Sequence, residues 1–217
     1  MRGAKPVLII YFCLKFMKIP EAVVFDLGKV LVDFDYNIAA RKISSRGRLT
    51  PEEVQDFIDH SPLLYRYETG LMTKEEFFSE VCAGTSFSGE IDEFAAHFSD
   101  IFSPIEPMIE WNRALRQKGV PTYIFSNTNE LAIGHIRERF PFFRDFSDYV
   151  LSYEHGAMKP DAKLYEVVER VTGKRGDAIL YLDDRAENVA AGAARNWQTI
   201  LQESPEKTLG RVRQLGL

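Results

Sequence analysis

Asp26, Ser126, Lys159 and the pair Asp183-Asp184 each stand at the end of a short apolar run or in the loop beyond it. Val23-Val24-Phe25 runs into Asp26, which is followed by Leu27-Gly28-Lys29. Ser126-Asn127-Thr128-Asn129 follows a second run, and Asp183-Asp184 closes a third. Taken singly, each residue has an ordinary reading. Asp26 could be half of a salt bridge, the Ser-Asn-Thr-Asn run a turn or helix cap, and Lys159 a solvated loop lysine. The acidic pair is harder to place, because two adjacent carboxylates at the end of an apolar strand repel one another unless a cation or strong donors sit beside them. Together the residues complement each other. A carboxylate nucleophile can attack phosphorus and form an aspartyl-phosphate, splitting one hard displacement into two easier ones. Mg²⁺ takes oxygen ligands of the kind that Asp26 with Asp184 or Asp183 would supply. A lysine and a hydroxyl satisfy the remaining phosphoryl oxygens as charge shifts in the transition state.

These residues need elements to gather them. Apolar runs at Ala22–Phe25, Pro121–Phe125, Tyr149–Tyr153, Ala178–Leu182 and Gln198–Leu201 read as strands. Helical patterns at Pro107–Lys118, Leu131–Phe140, Asp161–Val171 and Arg185–Ala194 alternate with them. Such alternation predicts an α/β fold with a three-layer parallel sheet, whose strand ends hold the chemistry. Between about 37 and 102 the pattern is helical instead. Thr50-Pro51-Glu52-Glu53 and Thr73-Lys74-Glu75-Glu76 both carry the signature of a capping box. Residues 37–102 are therefore expected to form a small helical-bundle cap inserted into a core of 20–36 and 103–217, with 1–19 as an N-terminal extension. Tyr65, Tyr67 and Glu68, in the YETG turn, are the candidates to face the site from the cap. Asp33 and Asp35 border the chain's exit to the cap, either lining the entrance or capping a helix.

Composition narrows the class. The chain has 217 residues, 45% of them hydrophobic and 27% charged, with a formal net charge of −5 and no basic stripe. Nucleic acid is thereby excluded as the main partner. The four histidines form no ligand pair, and Cys13 and Cys82 lie far apart, which fits a reduced, cytoplasmic setting. Val7–Phe16 is apolar but interrupted by Lys15 and too short to span a bilayer, so no membrane partner is expected.

The order and spacing of FDLGKVL, FSNTN, Lys159-Pro160 and LDDRAEN resemble the haloacid dehalogenase (HAD) superfamily, over roughly 22–201. The helical insertion resembles that family's cap, and FDLG, YETGLMTKEEF and DDRAEN are most similar to its glucose-1-phosphatase-like branch. The resemblance implies a Rossmann-like HAD core and Mg²⁺-dependent hydrolysis of a small phosphorylated metabolite such as a sugar phosphate. Asp26 is then the implied nucleophile and a Mg²⁺ ligand. Ser126 and Asn127 would bind the phosphoryl group, and Lys159 would pair with it and with Asp26. Asp184, assisted by Asp183, and the backbone carbonyl of Gly28 would complete the metal site.

Gly28 is also a departure, since family phosphatases carry at that position an Asp that serves as general acid and base. A role of this kind is worth about 10²–10⁴-fold. Its loss favours a leaving group that needs little protonation, such as the anomeric oxygen of a sugar-1-phosphate, and predicts a steep dependence of rate on leaving-group acidity. The competing readings are a catalytically weak or inactive HAD-like binding protein and a dehalogenase, for which Asp183-Asp184 would have no use. A phosphorylation-receiver domain has its acidic pair first rather than last.

Overall fold

The computed structural model describes residues 19–217; residues 1–18, with Cys13 and nearly all of the expected extension, lie outside the described residues. The strands of the main sheet are β1 (Ala22–Phe25), β4 (Thr122–Ser126), β5 (Asp148–Leu151), β6 (Ile179–Asp183) and β7 (Gln198–Leu201), in the order β5-β4-β1-β6-β7. All four pairings are parallel. The core helices are α6 (Glu106–Gln117), α7 (Glu130–Arg139), the one-turn α8 (Ser152–His155), α9 (Ala162–Thr172), α10 (Ala186–Ala194) and α11 (Pro205–Gln214). Alternate strand residues feed two apolar layers. Val23, Phe25, Ile124, Leu180 and Leu182 pack towards Met108, Leu115, Ile133 and Val212. Ala22, Val24, Phe125, Ile179 and Tyr181 pack towards Leu164, Tyr165, Val168 and Trp197 on the opposite face. A sheet buried on both faces explains why its strands read as continuous apolar runs.

β1 is the central strand, and its four residues are wholly buried. The amide of Asp26 still donates to the Leu182 carbonyl at 2.8 Å, so the first acid is pinned beside the end of β6 and its acidic pair.

The helical segment comprises α1 (Tyr36–Ser44), α2 (Pro51–His60), α3 (Leu63–Glu68), α4 (Lys74–Thr85) and α5 (Ile91–Ser99), around an apolar core of its own that includes Phe77, Phe94 and Phe98. Thr50 and Thr73 both form complete capping boxes. The segment is joined to the rest by β2 (Val32–Phe34) and β3 (Phe102–Pro104), which pair antiparallel. Three residues per strand are too few for a readable alternation, which is why these two are absent from the sequence reading. β5 also stops at Leu151 rather than Tyr153, because Ser152 opens α8 and turns its hydroxyl to Thr128 and Glu68.

Candidate active site

A cavity of about 400 Å³ lies where the strand ends meet the helical segment. Asp26, Gly28, Ser126, Asn127, Lys159 and Asp184 all line it. Asp183 does not; it is completely buried beneath.

Lys159 is the hub. Its Nζ lies 3.0 Å from Asp26 Oδ1 and 2.6 Å from Asp183 Oδ2, and donates to the Phe125 carbonyl at 2.9 Å. Burial opposes its charge, but the two carboxylates outweigh that and hold the ammonium above its usual range. Burial likewise pushes the Asp26 carboxyl up to about 7; Lys159 pulls it back while Asp183 and Asp184 push it further up. Asp184, half-buried, is raised by burial and by Asp183. Three carboxylates, Asp26, Asp183 and Asp184, thus crowd around the single buried ammonium of Lys159.

Asp183 is spent on the protein itself. Its Oδ2 accepts from Lys159 and from the Tyr181 hydroxyl, and its Oδ1 from the Arg185 amide at 2.8 Å and Asn188 Nδ2 at 3.0 Å. Oxygens of Asp26, Asp183 and Asp184 lie within 4.8 Å of one another. With both Asp183 oxygens occupied, Asp26 and Asp184 are the two of these three acids that line the cavity, and Gly28 stands beside them. Two carboxylates with raised proton affinity, and room for a carbonyl, suit a small hard divalent cation completed by substrate and water. The donor set fits Mg²⁺.

Asn127 differs from a simple phosphate donor. Its Oδ1 accepts from the Lys159 amide at 2.7 Å and its Nδ2 donates to the Lys159 carbonyl at 3.1 Å, so the side chain clamps the lysine's loop. Ser126, almost wholly buried, turns its hydroxyl to the Asn127 carbonyl at 3.3 Å. Of the three candidates in the YETG turn, only Glu68 lines the cavity. Tyr67 stacks on Phe77 with centroids 4.4 Å apart and belongs to the segment's core, while Tyr65 faces outward. Asp35 caps α1, accepting from Asn37, and Asp33 pairs with Lys29; neither reaches the cavity. Tyr181, Asn188 and Asn129 are the functional neighbours that sequence reasoning missed. Tyr181 had a signal, since it shares a strand face with Asp183 two residues on.

Residues 20–195 match the haloacid dehalogenase-like hydrolases. The chain belongs to that family. The phosphatases it resembles include the sesquiterpene phosphatase of Aspergillus oryzae, 26% identical over 80% of this chain and 85% of that protein. A second is the D-ribitol-5-phosphate phosphatase of Bacteroides thetaiotaomicron, 21% identical over 84% of this chain and 91% of that one. A HAD family enzyme from Bacteroides thetaiotaomicron, solved with magnesium and inorganic phosphate, superposes with a TM-score of 0.73 at 20% identity, covering 83% of this chain and 93% of that one. The HAD-like fold, a parallel sheet flanked by helices, is thus shared. Among the described residues no helix is long and apolar enough to cross a membrane.

Proposed function

We propose that this HAD-like hydrolase is a Mg²⁺-dependent phosphatase acting on a small phosphorylated metabolite, with a sugar phosphate such as a sugar-1-phosphate as the leading substrate. The observation that carries the reading is the convergence of Asp26, Asp184, Lys159 and Ser126 on one cavity. Asp26 attacks phosphorus and becomes the aspartyl-phosphate; water then releases phosphate and restores the carboxylate. Lys159 neutralises Asp26 until attack and keeps its carboxylate oriented. Ser126 and the backbone of Asn127 donate to phosphoryl oxygens, while the Asn127 side chain holds Lys159 in register. Asp183 orients Lys159 and, through the Arg185 amide, the loop carrying Asp184. Mg²⁺, held by Asp26, Asp184 and the Gly28 carbonyl, would shield the approach of one anion to another.

The helical segment acts as the cap that closes this site and selects substrate. Lys29, on the cavity wall, supplies a polar group for sugar hydroxyls. A second reading has its own support: Phe34, Tyr36, Leu64, Phe102 and Ile136 give the cavity an apolar wall that suits a hydrophobic phosphate ester. The likeness to a sesquiterpene phosphatase points the same way.

The test is kcat/KM with Mg²⁺ across sugar phosphates, nucleotides, FMN and terpenyl monophosphates, with Asp26→Asn as control. Sugar-1-phosphates should rank first; a terpenyl ester in that place decides for the second reading. Absence of turnover on every ester would make the protein a HAD-like binding module.

A further inference from the structure

We infer that Glu68 is a catalytic residue of this site, its carboxyl group giving a proton to the leaving oxygen and its carboxylate then taking one from the attacking water. The inference rests on the phosphatase reading and concerns the work that Gly28 leaves undone.

Glu68 is the last residue of α3, and its side chain lines the same cavity as Asp26. Two contacts, one at Glu68 and one at Gly70, bind the turn to the sheet side of the molecule. Ser152 Oγ donates to the Glu68 carbonyl at 2.6 Å, and Gly70, at φ +68°, presses so closely on the Tyr153 carbonyl that a Cβ there would come within 2.1 Å of it. A side chain is excluded at Gly70 by that contact. The YETG turn is thereby fixed over the strand ends, and Glu68 with it. Its carboxyl is bonded to the Asn129 side chain. Because Asn129 Oδ1 already accepts from the Ala132 amide at 3.0 Å, the Nδ2 is the group left to meet Glu68.

The environment suits a proton carrier. Burial raises the Glu68 carboxyl to about 7, outweighing Asn129 and the more distant charge of Arg185, which favour the anion. A group poised near the working pH can both give and take a proton. Core residue 28 offers nothing comparable, since Phe34 fills its side-chain space: a Cβ on Gly28 would meet Phe34 Cε1 at 2.9 Å.

The steps balance. As an Asp26 oxygen bonds to phosphorus, the bond from phosphorus to the ester oxygen breaks, its electron pair goes to that oxygen, and the Glu68 proton completes the alcohol. In the second step the Glu68 carboxylate takes a proton from water, whose oxygen bonds to phosphorus. The bond to Asp26 breaks, its electron pair returns to the carboxylate, and Glu68 is again protonated.

The experiment compares wild type, Glu68→Gln and Glu68→Asp on a graded set of esters, from p-nitrophenyl phosphate to a primary alkyl phosphate, with Mg²⁺. In Glu68→Gln the loss should deepen with leaving-group basicity, reaching about 10²–10⁴-fold on the alkyl ester. The steep dependence that Gly28 alone predicts should therefore be the property of this variant, and wild type should be shallow. Glu68→Gln should also show a burst of p-nitrophenol, because formation of the phosphoenzyme is spared and its hydrolysis is not. Glu68→Asp, which keeps a carboxyl, should recover part of the alkyl-ester rate. Equal losses on all esters with no burst, or no loss at all, would overturn the role of Glu68 while leaving the phosphatase intact. An inactive wild type would overturn both.

Discussion

Asp183 and Asp184 are neighbours in sequence with opposite expected sensitivities, and replacing each with Asn separates folding from metal binding. Asp183→Asn preserves shape but puts an amide NH₂ among donors in either orientation. On one side it faces Lys159 Nζ at 2.6 Å and the Tyr181 hydroxyl; on the other, the Arg185 amide at 2.8 Å and Asn188 Nδ2 at 3.0 Å. Breaking one partner of a buried ion pair costs about 3–5 kcal/mol. Lys159 keeps Asp26 at 3.0 Å, which places the cost at the low end, about 3 kcal/mol. At roughly 2–4 °C per kcal/mol for a chain of this size, Tm should fall by about 6–12 °C in EDTA. Asp184→Asn instead removes a half-buried like charge beside Asp183 and Asp26, so its Tm in EDTA should hold or rise. The Tm increase that Mg²⁺ gives wild type should shrink in this variant, because the ligand is gone. Thermal unfolding followed by circular dichroism, with EDTA and then with excess Mg²⁺, reads both effects. If Asp183→Asn melts with wild type in EDTA, or if Asp184→Asn keeps the full Mg²⁺ response, the division between an orienting acid and a liganding acid is wrong.

Asp26→Asn should abolish turnover and yet stabilise the metal-free protein at alkaline pH. The Asp26 carboxyl rises from 3.8 to about 7 on folding, so the folded state holds its proton more tightly than the unfolded one, and wild type loses stability as pH climbs through that window. Asn cannot ionise, so in EDTA the variant should melt above wild type at pH 8, with the gap closing towards pH 4; the same gap at both values would refute the linkage. Gly28→Asp should lower Tm modestly, an overpacking cost on the order of 1 kcal/mol, since the Phe34 ring must yield. Combined with Glu68→Gln, it should restore part of the alkyl-ester rate by returning a carboxyl to the core; a double variant as slow as Glu68→Gln alone would show that the position no longer reaches the leaving oxygen.

Much of the fold was legible because the signals are local. Apolar runs ending in Asp26, Ser126 and Asp183 report strands buried on both faces, and Thr50 and Thr73 announce their helices within three residues. The division of labour inside the site was not. Asp183 and Asp184 read as one acidic pair, but Asp183 is the last residue of β6 and wholly buried, whereas Asp184 lies in the loop just beyond the strand and lines the cavity. That the Asn127 side chain also clamps the backbone of Lys159, 32 residues on, has no signal in the run that contains it. Glu68 could not be told from Tyr65 or Tyr67 until Ser152, 84 residues away, fixed the turn that carries it. The sequence determined which chemical groups are present and which strand end or turn carries each, because spacing along a chain sets direction over a few residues. What each group faces depends on partners brought in from distant segments, and that only the packed structure decided.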